Sequence, residues 1–164
     1  IDIETLFGGI VDFSVIDFSV VEEDIATMVA MAADPVGVLV VDDEPEAVEE
    51  MTEHLSMMGF RSFGASGAWD ALDLVNREPD IAIAIIDLKM PGMDGMGLVR
   101  RLRQDPARNI QCIMVSGHGT MDDVQQAMHE QVREFLIKPI NSNELFDGVS
   151  RLREEIANRR GGFA

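Results

Sequence analysis

The chain has 164 residues, 46% of them hydrophobic, and its 30 acidic and 13 basic side chains give a formal charge of −17. Such length and apolar content exclude a disordered chain and allow one ordinary domain plus an extension, while the acidic balance argues against direct binding to nucleic acid. No apolar run approaches the ~18 residues of a membrane span, no secretory signal is evident, and the single cysteine, Cys112, cannot form an internal disulfide and fits a reducing cytoplasm.

Residues 1–34 hold eight acids and no base. They contain a near-repeat, VDFSV then IDFSV (11–20), whose alternation is strand-like within each copy but slips in phase between them. Ser19 with Glu22 resembles a capping box, and Ile25, Met28, Val29 and Ala32 recur at helical spacing before Pro35. This acidic N-terminal extension reads as a linker or as a docking or homodimerisation element. The opening residue, Ile1, is what a fragment or processed product would show.

From residue 36 the pattern alternates. VGVLVV (36–41) predicts a strand, and Val48, Met51, Leu55 and Met58 predict a helix stopped by Gly59. FRSFGA predicts a second strand. Ser66 is the expected cap of a second helix carrying Trp69, Leu72 and Val75, which Pro79 ends. IAIAIID (81–87) reads as a strand buried on both faces, followed by the helix GMGLVRRLRQD. IQCIMV is a fourth strand, in which Cys112 is a core residue. Thr120 caps MDDVQQAMHEQ, EFLI is a fifth strand, and the last helix places Leu145, Val149, Leu152 and Ile156 on one face. The eleven methionines read mostly as core, with Met90, Met93 and Met96 as an adaptable docking surface. Five strands alternating with five helices predict an α/β domain, a three-layer sandwich around a five-stranded parallel sheet, over residues 35–158. Residues 159–164 are then a tail or linker.

The strand ends carry the chemistry. Asp42 and Asp43 follow the first strand, Asp87 ends the third, Ser116 follows the fourth and Lys138 the fifth. Any one of these has a structural explanation as a cap, a turn residue or a solvated side chain. Together they fall on the edge where open parallel sheets place ligands. Three close carboxylates repel one another, and a hard dication such as Mg2+ relieves that repulsion. Asp87 could then act as a nucleophile towards phosphorus, with Lys138 and the Ser116 hydroxyl stabilising the transferred oxygens.

With VLVVDDE (38–44), IIDLKMPGMDG (85–95), VSGHG (115–119) and FLIKP (135–139) in this order, the chain resembles the receiver domain of a two-component response regulator. The resemblance implies a flavodoxin-like fold and Mg2+-dependent phosphorylation of Asp87 by a histidine kinase or a histidine phosphotransfer protein. It makes Asp42, Asp43, Asp87 and the backbone carbonyl of Lys89 the metal ligands, and Ser116 and Lys138 the phosphoryl contacts. It also implies a switch formed by Ser116 and Phe135, read out on the face of helix four, strand five and helix five, and serving an output domain or effector the sequence does not name. Lys89 and His118 fall at positions that modulate phosphoryl lifetime. Two departures are Phe135, where tyrosine is frequent, and Gly117, where alanine is frequent. A phosphatase of the haloacid-dehalogenase type needs a second aspartate where Lys89 stands. A pseudo-receiver, a binding module without phosphorylation, is the alternative, but the residues such modules lose are all present.

Overall fold

A computed structural model describes residues 35–161; the repeat and helical stripe expected within residues 1–34 lie outside them. Strands β1 (Gly37–Val41), β2 (Arg61–Ala65), β3 (Ile81–Asp87), β4 (Gln111–Ser116) and β5 (Glu134–Ile137) alternate with helices α1 (Pro45–Met57), α2 (Ala68–Arg77), α3 (Gly95–Leu102), α4 (Met121–His129) and α5 (Ser142–Arg160). All pairings are parallel, in the order β2-β1-β3-β4-β5. Among the described residues no helix is long and apolar enough to cross a membrane. The last helix runs to Arg160, beyond the domain end expected at residue 158.

Alternation along the strands divides the core in two. Leu39, Val41, Ile86 and Met114 pack beneath α2, α3 and α4. Val40, Ile85, Ile113 and Val115 pack beneath α1 and α5, where Leu145, Val149, Leu152 and Ile156 form the predicted stripe. Each fully buried side chain of this size contributes about 1.5–3 kcal/mol. Cys112 lies within the first cluster, and burial pushes its thiol up to about 12, so it is core rather than nucleophile.

The helices begin where local chemistry allows. Thr120 and Asp123 make a reciprocal capping box on α4, Asn141 accepts from the N–H groups of Asn143 and Glu144, and Asp94 accepts from Gly97 at 2.8 Å. At α2 the expectation fails: the cap position is Gly67, and the Ser66 hydroxyl instead donates to Asp70 at 3.2 Å. The buried face of α2 is Ala68, Ala71 and Val75, whereas Trp69 is 61% exposed with the Arg101 guanidinium 5.6 Å above its ring. The side chains at 68, 71 and 75 share one face of the helix, and Trp69, one position round from it, turns outward. Met90 and Met96 are likewise buried core, and Met93 packs partly against them, so they form no free docking surface.

Arg108, outside any regular element, donates to the carbonyls of Val75, Glu78 (3.0 Å) and Ile81 (3.1 Å), fastening the end of α2 to the start of β3. Arg108→Ala leaves these part-buried acceptors short of a charged donor and is expected to cost about 1–3 kcal/mol, read from the urea unfolding midpoint.

Candidate functional site

The site follows from strand register. Val41 pairs with Ile86, so the residues one step further, Asp42 and Asp87, emerge side by side. Asp87 in turn pairs with Val115, and Ser116 with Ile137, which puts Ser116 and Lys138 on the same edge. The strand order reverses at β1, with β2 on one side and β3 on the other, so a crevice opens at these carboxyl ends.

Carboxylate oxygens of Asp42, Asp43 and Asp87 all lie within 4.8 Å of one another. Asp42 and Asp87 are each only 7% exposed, and Asp43 is exposed. The Lys138 Nζ stands 3.0 Å from Asp42 Oδ2 and 3.4 Å from Asp87 Oδ1, ahead of a cis peptide bond to Pro139. Burial and then the Asp42 charge push the Asp87 carboxyl above its ordinary value, Asp43 adds to this, and Lys138 opposes it. Burial alone would lower Lys138, but its hydrogen bond to Asp42 and the charges of Asp87 and Asp42 outweigh that and hold it high, so it stays an ammonium. Three oxygen donors this close match what a hard dication takes.

Because the folded-state value of Asp87 is raised, its ionised form costs stability at pH values above that value, and the cost is relieved as pH falls through it. Asp87→Asn removes the charge and is expected to raise the urea midpoint at neutral pH without divalent cation, while abolishing any chemistry at this position.

The Ser116 hydroxyl is fully buried and turned into its own loop: it donates to the His118 carbonyl at 3.0 Å and accepts from the His118 N–H at 3.2 Å. Phe135 is half-buried against the cluster beneath α4. Lys89 is exposed just beyond Leu88, whose N–H donates to Val115 and whose carbonyl accepts from Gly95. Beside Asp42 and Asp87 a groove of about 360 Å³ runs between α1 and the loop after β5, with Met51, Ile85, Ile140 and Leu145 in its lining and Glu50 and His54 further along it.

One contributor was not read from the sequence. A Cβ on Gly95 would press on the Asp87 carbonyl oxygen and lie 2.9 Å from Leu88 Cα, so the first residue of α3 rests directly on the backbone of the site. Nearby, Gly92 adopts φ +76°, the left-handed conformation that turns the chain from β3 towards α3. The Gly residues of PGMDG are the only sequence signal for either contact.

The family model for the response regulator receiver domain matches residues 38–150. Sporulation initiation phosphotransferase F of Bacillus subtilis is 30% identical over 115 residues, covering 70% of this chain and 90% of that protein. The C4-dicarboxylate transport transcriptional regulatory protein DctD of Pseudomonas aeruginosa is 32% identical over 117 residues, 71% of this chain but 25% of that regulator. The crystal structure of a response regulator receiver protein from Pseudomonas putida superposes with a TM-score of 0.68 at 31% identity, covering 71% of this chain and 96% of that one. The chain therefore belongs to the response regulator receiver domain family of two-component signalling, and its flavodoxin-like fold is that of the family. It spans only about a quarter of DctD's length.

Proposed function

We propose that this receiver accepts a phosphoryl group on Asp87 and relays it as a change of surface, acting as a stoichiometric acceptor rather than a turnover enzyme. The observation that carries the reading is the meeting of Asp42, Asp43 and Asp87 within 4.8 Å with Lys138 Nζ between two of them. An Asp87 oxygen bonds to phosphorus as the phosphorus–nitrogen bond to a donor imidazole breaks, and the imidazole leaves with the electron pair and takes up a proton. The donor is a phosphohistidine of a histidine kinase or phosphotransfer protein, approaching along the groove beside α1. Asp42, Asp43, Asp87 and the Lys89 carbonyl would hold Mg2+, which neutralises charge on the transferred oxygens. Lys138 contacts a phosphoryl oxygen as a fixed cation. The Ser116 hydroxyl turns out of its loop to contact another, and Phe135 rotates with it. Lys89 and His118, at the rim, tune how long the phosphoryl group survives.

The readout is the α4–β5–α5 face, where Met121, Met128 and Ile137 are exposed apolar side chains. It serves an attached output domain or a separate effector, in a cytoplasmic setting. We further propose residues 1–34 as an acidic linker or dimerisation segment outside the receiver unit.

Intact mass after incubation with phosphoramidate and Mg2+ tests the reading. One phosphoryl group, absent from Asp87→Ala and from a chelated sample, is expected. If none appears, and beryllofluoride with Mg2+ also fails to bind, the reading falls and a phosphorylation-independent binding module replaces it.

A further inference from the structure

Oxidisable sulfur is distributed unevenly over this molecule. Cys112, the chain's one thiol, is fully buried and pushed up to about 12, so it offers no thiolate to solvent. Met90, Met96 and Met114 are buried in the core, and Met51, Met58 and Met93 are half-buried against it. Among the described residues, the thioethers that face water are Met57, Met121 and Met128, the last two 73% and 71% exposed. Those two share α4. Residues seven apart stand two turns along one helix face, about 10 Å from each other, so Met121 and Met128 form one stripe with the exposed Gln125 between them. With the half-exposed Ile137 of β5 they make up the apolar part of the α4–β5–α5 face.

We propose that Met121 and Met128 are reversible oxidation sites, at which peroxide removes the apolar character of the readout face without touching the acceptor. The role of that face rests on the phosphoacceptor reading above; the two sites do not. The sulfur lone pair attacks one peroxide oxygen, the O–O bond breaks, and the departing hydroxide takes the proton of the transferred oxygen. Sulfur is oxidised by two electrons to the sulfoxide, and the peroxide is reduced to water. A sulfoxide reductase working with a dithiol reverses the step, releasing the oxygen as water while the dithiol closes to a disulfide. The sulfoxide oxygen is a strong acceptor on what had been a flexible apolar side chain. A partner that buries it without supplying a donor leaves it unsatisfied. An apolar contact made through Met121 and Met128 is therefore lost on oxidation, while Asp42, Asp43, Asp87, Ser116 and Lys138 carry no sulfur to oxidise.

In the test the full chain is treated with hydrogen peroxide, quenched with catalase and mapped by peptide mass, which also covers Met28 and Met31. Met121 and Met128 are expected to gain oxygen at least about tenfold faster than Met90, Met96 and Met114. Retention on a phenyl column, the probe for an apolar partner, is expected to fall with these two oxygens. It is expected to recover after methionine sulfoxide reductase and dithiothreitol. Leucine keeps the apolar surface and the helix but cannot be oxidised. Met121→Leu/Met128→Leu is therefore expected to keep most of its retention, and Met57→Leu to lose it as wild type does. Phosphoryl uptake from phosphoramidate and Mg2+, read by intact mass, is expected to be the same before and after oxidation. Oxidation of Met121 and Met128 no faster than in the core overturns the assignment. So does a retention loss that survives in the double leucine variant, one that the reductase fails to reverse, or an oxidised protein that no longer takes up its phosphoryl group. A wild type that takes up no phosphoryl group before oxidation, and binds no beryllofluoride, overturns the phosphoacceptor reading and leaves the oxidation sites standing.

Discussion

Lys138→Ala is expected to slow phosphoryl uptake at Asp87 by about 100-fold to 1000-fold, the scale of removing one preorganised charge-stabilising donor, and at the same time to tighten Mg2+ binding. The two effects have one origin. Lys138 Nζ sits 3.0 Å from Asp42 and 3.4 Å from Asp87, so it neutralises the same carboxylates that a dication would hold. On the proposed reading it would compete with the cation in the free protein and would face the incoming oxygens during transfer. Its raised value means that it carries charge throughout the neutral range. A variant that merely misfolded would lose both properties together. Uptake rates from a mass time course, set beside Mg2+ titration by calorimetry, separate these cases: a fall in both refutes the assignment.

Gly95→Ala is expected to destabilise the domain by about 1–3 kcal/mol, the usual cost of overpacking. Helix propensity alone points the other way, since replacing glycine by alanine within a helix gains up to about 1 kcal/mol. Packing wins because the atoms in the way cannot move cheaply. The new Cβ would press on the carbonyl oxygen of Asp87, 3.0 Å from its carbonyl carbon and 2.9 Å from Leu88 Cα. All are backbone atoms at the end of the central strand, pinned by the bond from Leu88 N–H to Val115 (2.8 Å) and that from Gly95 N–H to Leu88 (3.0 Å). Whatever yields displaces Asp87, so weaker Mg2+ binding should accompany the lower urea midpoint. Unchanged stability with unchanged metal affinity would show that α3 can retreat instead.

The elements were legible because periodicity is local. The apolar run of β3, the stripe on α5 and the Thr120 cap each need only a few neighbouring residues to recognise, and all three are present in the fold. The cluster of chemical groups was legible as well, since parallel strands of similar length bring their ends to one edge. What escaped was contact between distant segments. Trp69 satisfies helical spacing, yet the face that packs on the sheet is that of Ala68, Ala71 and Val75, one position round the helix. Nothing near Arg108 in the chain announces that its guanidinium reaches three carbonyls some thirty residues earlier. Gly95 looks like a turn glycine, and only the fold reveals that it is small because the backbone of the site rests on it.

The placement of Trp69 bears on how this protein can be observed. It is the chain's one tryptophan, and it lies on α2 beneath the Arg101 guanidinium, with α2 packed over β1 and β2. β2 and β5 are opposite edges of the five-stranded sheet, about 19 Å apart at ordinary strand spacing. The intrinsic emission therefore reports on the β2 side of the sheet, and a change confined to α4 and β5 is expected to leave it nearly silent. Optical work on the readout face of this receiver calls for an indole introduced by design on β5, with Trp69 kept as the reporter of the opposite side of the sheet.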